Sequence, residues 1–337
     1  MEEKVPTDEL RIVYGEILRG ASRLESPKFG EVVIKHLTQS DTELLDLKRT
    51  KYKKKAEEEG LPTEEQRLDD LIKEGDWSKR KELDMKNSRD FISRMTDTRS
   101  KMALKSEIRR LTQQIQEEED KLLEMELDKK DLIGLTSDSY ATKKVNDYYV
   151  YISLYKDMEC KELLFSENEF DEVSEDDLTA IILHFNKETK KFSQMNLKRI
   201  GLSHFFLNNF YLCDDNPYIF YGKPVVDLTY HQADLFTYGR HFKHLMSEMQ
   251  SPLTNEMMEN PDLLTEQYNI EQNKESVLKD SDQSGTASTI VGATKEDLES
   301  LGVAATQDLG ETVDLNDMLA EKGGTMEMED LIKLHGR

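Results

Sequence analysis

RIGLSHFFLNNFYLCDDNPYIFYGKPVVDLTYHQADLFTYGRHFKHLM, residues 199–246, is the stretch whose reading decides the fold. Eleven of the 26 aromatic residues lie between Phe205 and Phe242, in a chain otherwise rich in charge. Burying a large apolar side chain contributes roughly 1.5–3 kcal/mol, so this block is the expected anchor of a packed core. The spacing predicts two helices, about 196–212 and 230–249, around an ordered loop, DDNPYIFYGKPVVDL. Thr229 followed by Gln232 forms a capping box at the start of the second, because the two side chains satisfy backbone donors that a helix terminus leaves open.

Upstream, Thr136-Ser137-Asp138 caps a helix running through YYVYISLYKD, with Tyr148, Ile152 and Tyr155 on one face and Tyr151 beside them. FSENEFDEVSEDDLTAIILHFN then gives a turn and a helix capped by Ser174 and Asp177. Before these, Leu104, Ile108, Leu111, Ile115, Leu122, Met125 and Leu132 recur at alternating spacings of four and three. Glu118 and Lys129 hold the two seam positions that are not apolar. Such a heptad rhythm keeps one stripe facing a partner helix. The partner is either the preceding helices, through Leu68, Leu71, Ile72, Leu83, Phe91 and Met95, or a second copy associating through 104–132. Short loops favour the hairpin.

Thr63 with Gln66 makes another capping box, the helix closes at Gly75, and Trp77 precedes Ser78, which caps the next. Helix also begins near Asp41 and runs past Leu44 and Leu47 through KRTKYKKKAEEEG to Gly60. At the N-terminus Asp8 caps LRIVYGEILRG, with Leu10, Val13, Ile17 and Leu18 on one face and Gly20 as a stop. GEVVIKHLT, after Ser26-Pro27, reads equally as a strand or a helix start, and a small sheet fits near 30–38 or 218–228.

Beyond Gln250 the composition changes. Pro252 and Pro261 break helix, and NKESVLKDSDQSGTAST has a linker's polarity. From Ser251 onward there are 19 acidic and 6 basic residues. Three segments, from Thr294, Thr312 and Thr325, share a threonine cap, an acidic first turn, a few apolar residues and a glycine stop. Amphipathic segments of this kind fold into partner grooves. Leu298, Leu301, Leu315, Met318, Leu319, Leu331, Ile332 and Leu334 are the expected partner-binding residues.

The fold class is therefore mainly α. It comprises an N-terminal segment (1–45), a helical hairpin or coiled-coil arm (46–135), a compact aromatic-rich helical subdomain (136–250) and an acidic, largely disordered tail (251–337). A net charge of −23 opposes general affinity for nucleic acid. Two cysteines, Cys160 and Cys213, are too few for a disulfide framework, and no apolar run approaches a membrane span.

Chemistry-bearing residues are sparse. His231, His241 and His244, near Asp227 and Asp234, have zinc-ligand chemistry, but they read more simply as polar partners at the edge of an aromatic core. Asp214-Asp215-Asn216-Pro217 lacks the pattern of a calcium loop and reads as an aspartate turn. The basic run Lys48, Arg49, Lys51, Lys53, Lys54 and Lys55 suits phosphates, yet Glu57, Glu58 and Glu59 follow at helical spacing. Phosphate-binding loops, dinucleotide fingerprints and nucleophile elbows are absent from the sequence. No catalytic residue or cofactor is expected.

FYLCDDNPYIFYGKPVVDLTYHQADLFTYGRHFKHLM (210–246) and EEGLPTEEQRLDDLIKEGDWS (58–78) resemble a family of proteins from tailed bacteriophages, chiefly marine contractile-tailed ones, over about residues 10–250. The resemblance implies a non-catalytic role in virion assembly, as a tail or baseplate component or assembly factor. Its partners would be other phage structural or assembly proteins, in the host cytoplasm or the virion. A nucleic-acid factor acting through 48–55, or a metal enzyme centred on His231, His241 and His244, is the alternative.

Overall fold

The computed structural model describes residues 6–284 and is mainly helical. The helices are α1 (Thr7–Arg19), α2 (Gln39–Glu58), α3 (Glu64–Glu74), α4 (Lys79–Ser100), α5 (Lys105–Ile133), α6 (Ser137–Ser153), α7 (Glu167–Asp171) and α8 (Glu175–Thr189). They continue as α9 (Gln194–Leu202), α10 (His204–Phe210), α11 (Pro217–Tyr221), α12 (Tyr230–Glu248), α13 (Asn255–Glu259) and α14 (Pro261–Ser284). A three-stranded antiparallel sheet interrupts them, in the order β1 (Ala21–Ser26), β2 (Gly30–Lys35), β3 (Leu154–Tyr155). Ala21 pairs with Lys35 and Ser26 with Gly30, and β3 adds Val33–Tyr155 and Ile34–Leu154.

The sequence's capping signals are realised. Thr63 and Gln66, and Thr229 and Gln232, exchange both bonds of a capping box. Thr136 caps α6, with Ser139 closing the box, and Ser174 accepts from the Asp177 amide at α8. α1 differs from expectation: Pro6 is its cap and Asp8 lies in its first turn. Tyr14 joins Leu10, Val13 and Ile17 on its buried face, while Leu18 is exposed. Gly20 stops this helix at φ 74°, a left-handed conformation that costs glycine no Cβ clash.

The chain divides into two compact units. The first comprises the described residues through Met85 and Glu124–Thr265; the second comprises Lys86–Leu123 and the described residues from Glu266. The expected N-terminal segment and aromatic subdomain thus share one unit, because residues 10–34 complete both of its cores. One core joins Leu10, Val13, Tyr14 and Ile17 to Ile200, Phe206, Phe210, Leu235 and Phe236. The other packs Leu24, Val32 and Ile34 against Val150, Tyr151, Leu154, Ile181 and Phe185. α2 lies along α6.

Two further expectations are corrected, and the small sheet is found at the first of its two expected places. The helix predicted over 196–212 breaks at Ser203, whose ψ of 146° is extended, so it becomes α9 and α10. The helix ending in YYVYISLYKD stops at Ser153, and Tyr155 enters β3, because β2 offers it a free edge. Residues 218–228 contain α11 and a 3₁₀ turn (Val225–Asp227), while the 30–38 site does hold β2.

Part of the heptad seam is buried, while Leu132 at its end is 39% exposed. In the second unit, Ile108, Leu111 and Ile115 are buried, and Ser88 Oγ of α4 donates to Glu118 at 2.6 Å. In the first unit, Lys129 Nζ sits 2.9 Å from Glu82 Oε1 of α4. Both polar seam residues find partners on the facing helix. Leu83 is 55% exposed and takes no part in the seam. Helix also continues past residue 250: α13 and α14 reach Ser284, with Leu264 and Ile270 buried.

Candidate interaction surface

The aromatic block turns one side into the core and the other outward. Phe206, Phe210 and Phe242 are fully buried, and Phe206 and Phe210 stack with centroids 5.3 Å apart. Phe220 joins them edge-on, 5.5 Å from Phe206. Between Phe210 and α12 the backbone makes a succession of tight turns. Asp214 and Asp215 are both left-handed (φ 50° and 55°), Asn216 accepts from the Tyr218 amide to start α11, and Gly222 ends it.

These turns leave their apolar side chains on the surface. Tyr211, Leu212, Tyr218, Ile219, Val225 and Val226 are exposed, Leu212 by 82% and Val226 by 71%. Leu18 of α1 is also exposed, and it meets Leu212 and Ile219 around a depression of about 310 Å³. Tyr14, Asn209, Cys213 and Phe220 complete its lining. Scattered exposed apolar residues are ordinary, whereas a contiguous group marks an interaction surface. Sequence reasoning assigned the whole block to the core and missed this face. The Asp-Asp-Asn-Pro turn and the Gly222-Lys223-Pro224 turn were the signal, since such connections run over protein surfaces.

The candidate metal residues do not converge. His231 is half-buried at the start of α12, while His241 and His244 are exposed further along it. Among the described residues no three His, Cys, Asp or Glu side chains form a group able to hold a metal. His231 lies against His36 instead, a histidine that the sequence reading left aside. Their rings meet at 5.0 Å, and Phe192 lies 4.6 Å from His36 and 4.8 Å from His231. His36 is 4% exposed, its Nε2 lies 3.4 Å from Ser22 Oγ, and its Nδ1 has no hydrogen-bond partner among the described residues. Burial, then the neighbouring His231, Lys191 and Lys223, push its pKa down to about 3. Burial alone takes His231 to about 4. Both imidazoles are neutral, and they act as packing groups.

In the turn after Phe210, Lys243 Nζ donates to both carboxylate oxygens of Asp215 at 3.0 Å, so this aspartate serves the turn rather than a cation. The basic run lies on α2 and is largely answered by carboxylates. Lys48 faces Glu167 at 3.7 Å and the Tyr148 ring at 4.4 Å, and Lys53 donates to Asp138 at 2.5 Å. Lys54 and Lys55 meet Glu58 and Glu59 one turn on. Leu298, Leu301, Leu315, Met318, Leu319, Leu331, Ile332 and Leu334 lie outside the described residues. No described helix is long and apolar enough to cross a membrane. Comparison with protein-family models, curated proteins and solved structures finds no match for the chain.

Proposed function

We propose that this chain is a non-catalytic assembly protein of a tailed-phage virion, acting by protein–protein contact. The observation that carries the contact is the exposed apolar group Leu18, Leu212 and Ile219 around one surface depression. A rigid frame supports it: Phe220 packs against Phe206 and Phe236, and the Tyr221 hydroxyl donates to the Gln232 carbonyl at 2.9 Å. A preformed apolar face loses little conformational entropy on binding. Apolar anchors of this kind dominate interface energetics. The phage context rests on the resemblance of residues 210–246 and 58–78. The carboxylate partners of Lys48, Lys53, Lys54 and Lys55 weigh against a nucleic-acid role.

The test is assembly itself. Leu212→Asp combined with Ile219→Asp changes only exposed side chains, so the variant keeps the wild-type unfolding midpoint. In a phage carrying the gene, particle yield or tail completion falls while the protein accumulates normally. Unchanged particle assembly by that variant removes the proposed face from the function.

A further inference from the structure

A second concavity lies apart from the exposed face, where α2, α6 and the first turn of α12 meet. It is a depression of about 300 Å³ that opens to solvent past Asn146 and Tyr230, lined by Leu37, Thr42, Leu45, Val145, Asn146, Tyr149, Tyr230 and His231. We propose that this cavity binds an uncharged, ring-sized molecule that carries a hydrogen-bonding group. The proposal concerns this chain alone and stands independently of the virion reading.

Three features define the occupant. First, the volume sits at the small end of ligand pockets, which span about 300–1,000 Å³, so one or two fused rings fit and a nucleotide does not. Second, the walls are aliphatic (Leu37, Leu45, Val145) and aromatic (Tyr149, Tyr230, His231), a surface on which a flat ring stacks favourably. Third, the lining contains no Asp, Glu, Lys or Arg. A charged ligand would give up part of its hydration there and meet no counter-charge in the lining, so an uncharged one is favoured.

The polar groups needed for orientation are in place. Tyr149, His231 and Asn146, each with a hydrogen-bonding group in its side chain, are among the residues that line the space. None makes a side-chain hydrogen bond to another described residue. The walls themselves are fixed. Tyr149 packs edge-on against buried Phe185 at 5.3 Å, and His231 stacks on Phe192. The Tyr230 amide donates to the Leu37 carbonyl at 3.1 Å, tying the start of α12 to the end of the sheet. A neutral imidazole and a phenol on rigid supports can each accept or donate one bond. Such a site takes a phenol, an indole or a nucleobase, either as a free molecule or as the aromatic side chain of a bound protein.

Saturation-transfer and carbon-detected histidine NMR on the full chain test this directly. Phenol, indole and adenine serve as free-ring probes; N-acetyl-tyrosinamide and N-acetyl-tryptophanamide stand in for a partner's side chain. Binding of a probe at millimolar concentration, with a shift of the His231 ring signals, is expected. Leu45→Trp and, separately, Val145→Phe fill the space and abolish the signal; circular dichroism and the unfolding midpoint identify whichever variant keeps the fold. His231→Phe preserves the stack and weakens binding by about fivefold, the effect of one lost hydrogen bond. Preference for the capped amides assigns the site to a protein side chain, and preference for free rings assigns it to a small molecule. The proposal is overturned if no probe binds, or if binding survives unchanged in a folded cavity-filling variant.

Discussion

The side-chain amide of Gln232 reaches across from α12 to the end of α1, where Nε2 donates to the Ile17 carbonyl oxygen at 2.7 Å and to that of Leu18 at 3.1 Å. Its Oε1 accepts from the Thr229 amide at 3.1 Å. One fully buried side chain thus caps the N-terminus of its own helix and the C-terminus of another, and every polar atom of its amide is used. Gln232→Ala leaves these groups unpaired and lowers stability by about 2–4 kcal/mol in urea unfolding. Gln232→Glu separates the two roles. It keeps an acceptor for Thr229 but turns a carboxylate oxygen toward two carbonyls. Its carboxyl titrates upward in the fold, so the deficit is full at pH 7 and shrinks as protonation at pH 5 restores a donor. A deficit independent of pH shows that the carbonyl contacts contribute nothing.

The stack of His36, Phe192 and His231 makes stability depend on pH. Folded pKa values of about 3 and about 4 lie below the ordinary histidine value of 6.5. As pH falls through 6.5 the unfolded chain binds protons that the folded chain refuses. The loss begins near pH 6.5 and continues until the folded pKa values are reached. Between pH 6.5 and 5 each histidine removes roughly 2 kcal/mol. His36→Phe keeps the buried ring and removes one titrating site, so its urea midpoint falls less steeply over this interval. Parallel midpoint curves for wild type and variant exclude His36 as a source of acid sensitivity.

Trp77, Glu82 and Lys129 form a three-membered polar contact at the seam. Trp77 Nε1 donates to Glu82 Oε1 at 2.8 Å, and Lys129 Nζ lies 2.9 Å from the same oxygen. Trp77 is buried, so its indole depends on this acceptor. Glu82→Ala orphans both donors and costs about 2–3 kcal/mol. Lys129→Met leaves the indole bond intact on a pair that keeps some solvent contact, and costs at most about 1 kcal/mol. The double variant costs less than the two added together, because both changes remove the same pair. Strict additivity in this cycle means that Lys129 and Glu82 do not interact in solution.

Local chemistry was the legible part of this fold. Thr63, Thr136, Ser174 and Thr229 cap as their sequences predict, because a cap needs only residues within one turn. Of the heptad seam, Ile108, Leu111 and Ile115 are buried, Leu132 is exposed, and the two polar interruptions are answered by Ser88 and Glu82. Nonlocal partners were not legible. β3 is two residues long and exists only because β2 supplies an edge. His36 was passed over because the neighbours that bury it are 156 and 195 positions away, at Phe192 and His231. The surface face was misjudged for the opposite reason: aromatic density in the sequence reports apolar mass, not which side of a turn it occupies.

Gly239 and Gly15 give a matched pair for testing helix packing. Both are helical glycines, and in an unobstructed helix replacing glycine by alanine stabilises by up to about 1 kcal/mol. At Gly15 of α1 the nearest atom to an added Cβ is the Arg19 guanidinium at 3.6 Å, an ordinary contact with a flexible side chain. At Gly239 of α12 the added carbon would stand 2.7 Å from Phe206 Cε1 and 2.9 Å from Phe210 Cε2. Those rings are fully buried in the core and cannot retreat without displacing Phe220 and Phe236. Gly15→Ala therefore raises the thermal midpoint, and Gly239→Ala lowers stability by about 1–3 kcal/mol through overpacking. The opposite signs separate intrinsic helix propensity from the close approach of α10 to α12. If both variants are stabilised, the two helices do not pack at this distance.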